Sequence, residues 1–152
     1  MARFRFPLQS ILDIKMKMET QAKQEFSLAM NELDTEEQKL SELRNRREHY
    51  QDEIRKLLQG TLKFREIEDN KNAILYLDEV IEKQQVVVAK ARMKVEAARA
   101  KMTEAVKDRK TYEILREQAF EEFMREENAA ESKAVDELVS YTYGQRIQSD
   151  NH

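Results

Sequence analysis

The groups in this chain able to do acid–base or ligand chemistry are two histidines, His49 and His152, and thirty aspartates and glutamates. A histidine works as a general base or metal ligand when a second group orients it within hydrogen-bond reach. His49 falls on the outer face of a helical pattern and His152 at the terminus, where a lone histidine reads as solvated. Carboxylates recur at i, i+4 along the whole chain, as they must on any highly charged helix, so their spacing singles out no acid–base couple. There is no GxxxxGK[ST], HExxH or GxSxG pattern. There is no cysteine, which excludes disulfides and thiolate metal sites. The residues thus point to no catalytic residue, no cofactor and no metal, and the chain reads as a non-enzyme.

The remaining chemistry is recognition. Nine basic residues lie between Lys83 and Lys110, but no aromatic interleaves them and the net charge is -3, so nucleic acid is not the expected partner. The start, MARFRFPLQSILDIK, alternates Arg3 and Arg5 with Phe4 and Phe6 ahead of Pro7, the single proline. No apolar run follows that would make a secretory signal, and no stretch approaches the roughly 20 apolar residues of a membrane span. Two readings of Phe4 and Phe6 stand: they fold onto the stretch Glu113 to Phe123, or they belong to an end presented to a partner.

These residues must be positioned by helices. Charged residues make up 38% of the chain, with two glycines and one proline, so it has punctuation for one sharp reversal, near Gly60. The expected fold is all-α: a long antiparallel two-helix coiled-coil hairpin with an overhanging C-terminal helix. A single hairpin domain spans 1–143, with helix one at about 7–58, the turn at about 59–62 and helix two at about 62–143. Residues 144–152 read as a disordered tail, with Gly144 as the cap. Pro7 suits the first helical position, and Thr61 an N-cap. Residues 66–72 are left open between loop and helix.

In helix one the apolar seam reads Leu8, Ile11, Lys15, Met18, Ala22, and then, after an extra step of four, Phe26, Ala29, Leu33, Glu36, Leu40, Leu43, Arg47, Tyr50, Ile54, Leu57. The extra step predicts a stutter. Helix two carries an unbroken series Ile74, Leu77, Ile81, Gln84, Val88, Ala91, Val95, Ala98, Met102, Ala105, and beyond it a noisier stripe through Tyr112, Leu115, Ala119, Phe123, Ala130, Val135, Leu138 and Tyr141.

A turn near residue 62 sets residue i opposite roughly residue 124 − i. Six acidic residues between Glu19 and Glu37 then face the basic stretch Lys83 to Lys110, an arrangement that sets orientation more than stability. At 1.5 Å per residue the helices would span roughly 75 Å and 120 Å, which leaves about the last 25 residues of helix two without an intramolecular partner.

The start FRFPLQSILDIK, with its F-x-F-x-L-Q-x-[ILV]-L pattern, the segment GTLKFREIEDNKNAILYLDEVIEKQ and the stretch DRKTYEILREQ together resemble the FliJ family of the flagellar type III export apparatus. The resemblance covers nearly the whole chain. It implies a fold similar to the central stalk of rotary ATPases. It also implies a cytoplasmic protein, peripheral to the inner face of the membrane at the flagellar base, whose membrane association runs through the export apparatus only.

The implied partners are the hexameric export ATPase FliI, whose ring assembly and activity it would promote, the export gate protein FlhA, and export chaperones. The positions that align with the family's gate-docking face are Gln38, Leu43, Arg46, Tyr50, Ala73, Leu77, Val80 and Gln84. The family pattern has aromatics at the positions of Arg46, Tyr50 and Ala73 and a histidine at that of Gln84; only Tyr50 matches. Packing in the seams competes as an explanation of Leu43, Tyr50 and Leu77. The paired ends implicate Phe4, Phe6, Phe120 and Phe123 in contact with the ATPase ring. The alternatives are the equivalent stalk protein of a virulence type III system, or a generic coiled-coil scaffold.

Overall fold

The computed structural model describes residues 2–150. Among the described residues there are two helices and no strand: α1, Gln9–Gln59, and α2, Phe64–Asp150. Both are built from residues that lose little on entering a helix, chiefly Ala, Leu, Glu, Lys, Gln and Met.

The helix ends differ from expectation in three places. Pro7 precedes α1 by two residues. Gln9 N–H donates to the Phe6 carbonyl at 3.1 Å, closing a turn, and Leu12 N–H donates to the Leu8 carbonyl at 3.0 Å. Proline's fixed φ suits the second residue of such a turn, so Pro7 directs the chain into the helix without joining it. The connection is Gly60 to Lys63, and α2 begins at Phe64, with Ile67 N–H donating to the Lys63 carbonyl at 3.1 Å. Thr61 is therefore not the cap, and residues 66–72 are helical.

At the far end α2 continues through Gly144 to Asp150, where an end near Tyr143 and a disordered tail were expected. A glycine stops a helix by taking a left-handed conformation. Neither glycine has a positive φ, and an interior glycine costs a helix only about 1 kcal/mol. Residues 151 and 152 lie outside the described residues, His152 among them.

The chain divides into two compact units. One is the hairpin unit, Glu19–Ala105; the other, the terminal unit, joins the start of the chain up to Met18 with the chain from Val106 onward. A two-helix seam has no shared centre, because each turn packs only against the turns opposite it.

In the hairpin unit the helices run antiparallel. The buried core comprises Ala22, Leu40, Ile67, Leu77, Ile81, Val88, Ala91 and Val95. Leu33, Leu43 and Tyr50 pack against its central cluster of Leu40, Leu77, Ile81 and Val88. Charged rungs flank it: Glu25 with Lys101 at 2.9 Å, Glu32 with Lys94 at 3.3 Å, Glu37 with Arg92 at 3.2 Å, and Arg47 with Asp78 at 2.6 Å. Residue numbers in these pairs add to between 125 and 129, close to the expected register.

The seam of α1 corrects the predicted stutter. Leu12 is 3% exposed and Ile11 37%; Glu19 is 7% exposed and Met18 47%. With Leu12 and Glu19 at the inner positions, the inward-facing residues of α1 run 8, 12, 15, 19, 22, 26, 29, 33, 36, 40 and onward to 57, alternating steps of four and three without interruption. Regular spacing prevails over the apolar character of Ile11 and Met18. Glu19 is tolerated there because Lys23 reaches it at 2.9 Å.

Candidate functional site

Two sets of residues carry the recognition chemistry, one in each unit. In the terminal unit the turn at Pro7 brings the segment before α1 back against α2. The Phe4 ring packs edge-on against Phe120, with centroids 5.2 Å apart, and tilted against Phe123 at 5.5 Å. Such aromatic pairs contribute about 0.5–1.5 kcal/mol beyond their burial.

Arg116 completes the cluster. Its guanidinium lies 5.7 Å from the Phe4 ring centre, while its Nε donates to Gln9 Oε1 at 3.0 Å. Deeper in the unit, Lys15 pairs with Asp108 at 3.6 Å and lies 6.0 Å from the Tyr112 ring centre. The structure thus brings together Phe4, Phe120 and Phe123. Phe6 is half-buried beside them, and Arg3, Phe4, Arg5, Phe6, Gln9 and Arg116 line one open groove. Arg3 and Arg5 are exposed. Of the two readings of Phe4, the fold-back onto the stretch ending at Phe123 describes its contacts.

Arg116 was not among the residues singled out from sequence. The signal for it was present: the antiparallel arithmetic places it opposite Gln9, and it precedes Phe120 by four residues on one helix face.

In the hairpin unit the eight positions expected at a gate-docking face divide by burial. Leu77, 3% exposed, belongs to the core, and Leu43 and Tyr50 pack against it. Ala73 and Val80 are half-buried. Gln84 is also half-buried and is engaged across the seam with Glu36. Gln38 and Arg46 are exposed. The free chemistry of this set is therefore one amide, one guanidinium and the outer edge of a tyrosine. His49 is exposed beside that tyrosine, ring centres 5.9 Å apart.

Among the described residues, no three histidine, aspartate or glutamate side chains are grouped so as to hold a metal ion. No described helix is long and apolar enough to cross a membrane. What both units offer is side-chain surface for protein partners, in which aromatic and arginine groups are the usual strong contributors.

The family model described as the flagellar FliJ protein matches residues 4–148. No curated protein matches the sequence. Among solved structures, a Chlamydia trachomatis protein described as a YscO homologue is similar in fold. Its TM-score is 0.59 at 24% identity, over 96% of this chain and 99% of that one.

Proposed function

The chain belongs to the FliJ family of flagellar type III export proteins, and from that premise we propose that it is a non-enzymatic stalk component that promotes assembly and activity of the export ATPase ring. It also contacts the export gate and receives export chaperones. It acts in the cytoplasm, at the inner face of the membrane by way of these partners. The observation that carries this reading is the aromatic clasp of the terminal unit. Phe4, held against Phe120 and Phe123, sets Arg3 and Arg5 at an exposed, cationic end.

The physical effect on the ring follows from symmetry. A single chain at the centre of a sixfold ring cannot meet six identical subunits in the same way. It therefore favours different nucleotide states at different interfaces, and its action on hydrolysis is a coupling free energy between chain and ring. In the hairpin unit, Arg46 and Gln38 with the edge of Tyr50 are the groups available to the gate. The test is ATP hydrolysis by the cognate ATPase with and without the purified chain.

The equivalent role in a virulence type III system is the second reading, favoured by the fold similarity to the YscO homologue. Binding to one of the two cognate ATPases and not the other distinguishes them.

A further inference from the structure

From residue 128 to residue 149 every residue of α2 is exposed. This stretch nevertheless carries Val135, Leu138, Val139 and Tyr143, which are 56% to 67% exposed. With Thr142 they share one face of the helix, and Leu138, Val139, Thr142, Tyr143 and Arg146 line one open groove. A contiguous apolar face of this kind marks an interaction surface.

The ends of the face indicate what covers it. Glu131 lies on the same face one turn before Val135, and Arg146 one turn after Thr142. The series 131, 135, 138, 139, 142, 146 is symmetric about the point between Leu138 and Val139, and reversal exchanges an acid for a base. We propose that this face is an antiparallel homodimerisation surface, occupied by the same segment of a second copy of this chain. Leu138 and Val139 sit at the two-fold axis, Val135 faces Thr142, small Ala134 faces Tyr143, and Glu131 of each copy pairs with Arg146 of the other. This is an isologous interface, in which one patch complements itself.

Other occupants fit less well. A parallel copy sets Glu131 against Glu131 and Arg146 against Arg146, which is repulsive at both ends. A basic helix of another protein satisfies Glu131 and meets Arg146. An anionic lipid surface asks for a lysine- and arginine-rich flank, and between residues 126 and 149 there are five acidic residues against Lys133 and Arg146. The face is about 16 residues long, roughly 24 Å of helix, so the pairing is small and reversible. It is independent of the role proposed in export.

Sedimentation equilibrium on the full chain tests it, at loading concentrations up to about 1 mM so that weak association registers. The weight-average mass is expected to rise with concentration from 18.1 kDa towards twice that value. Glu131→Arg and Arg146→Glu should each weaken association by about tenfold or more through like-charge apposition. The double reversal should recover it, and Leu138→Asp should abolish it. Circular dichroism should be unchanged in all four, since these side chains are exposed. A chain monomeric throughout the range overturns the proposal. So does a dimer that ignores the single reversals, or one that the double reversal does not recover.

Discussion

Gln84 reaches across the seam of the hairpin unit to Glu36, donating from one amide nitrogen to the carboxylate at 2.6 Å and to the backbone carbonyl at 3.0 Å. Both residues occupy inward-facing positions given mostly to apolar side chains. A polar pair at a seam favours the one register in which each satisfies the other, as buried asparagines do in coiled coils. The amide also holds the Glu36 carboxyl below its ordinary value of 4.5; partial burial opposes this, and Lys39 adds to the lowering.

The sign of the resulting pH dependence is fixed. A carboxyl whose folded value lies below its unfolded value contributes stability above the unfolded value and loses it as pH falls through the folded one. The window therefore opens near 4.5 and extends downward. Gln84→Leu removes the donor at similar size. In the variant, the Glu36 side-chain carbon titration by NMR should shift upward and stability should depend less on pH below 4.5. An unchanged Glu36 titration would show that the amide is not its cause.

The corrected seam of α1 makes a sharp comparison between adjacent residues. Leu12→Ala should cost about 2–3 kcal/mol, the lower part of the range for buried leucines, because a two-helix seam encloses each side chain incompletely. Ile11→Ala should cost less than about 1 kcal/mol, since its side chain is already partly in water. Urea unfolding of the two variants measures both. Equal losses would restore the stuttered seam.

The charged rungs should matter for orientation more than for stability. Glu32 and Lys94 are both largely exposed, and pairs of this kind are worth about 0.2–1 kcal/mol. Glu32→Lys alone should lower stability by no more than about 1 kcal/mol, and adding Lys94→Glu should return most of it. A double variant no better than the single one would mean that the two residues are not opposed in solution.

For the gate, burial separates the two residues worth testing. Arg46→Ala should weaken binding to the isolated gate protein with no change in thermal unfolding, because the side chain is exposed. Tyr50 packs against the core cluster, so Tyr50→Ala should lower both binding and stability, whereas Tyr50→Phe should retain the packing. Full binding by Arg46→Ala would remove this residue from the interface.

Much of the fold was legible because a two-helix seam is written in one periodicity. The series from Ile74 to Ala105 and the sum rule near 124 needed no knowledge beyond apolar spacing and one turn. Two features were not legible, for physical reasons. Choosing Ile11 and Met18 over Leu12 and Glu19 followed side-chain character, where the structure follows spacing and lets Lys23 compensate Glu19. Gly144 has a helix-ending residue type but not the backbone conformation that ends a helix. The candidate sites were legible only as neighbourhoods. The pairing of Phe4 with Phe120 was within reach of the antiparallel arithmetic, but the role of Arg116 depends on the turn that Pro7 makes. Among the positions expected at a gate-docking face, spacing alone could not tell Leu77, which is core, from Arg46, which is surface.

Under the proposed function, the terminal unit acts on the export ATPase ring. The direct test is the rate of ATP hydrolysis by the cognate ATPase, under conditions in which the ring assembles, with the full chain, with Phe4→Ala and with residues 2–6 deleted. The full chain should raise the rate, and both variants should lose most of the stimulation while keeping their helix content. No stimulation by the full chain under those conditions would show that the terminal unit does not act on the ring.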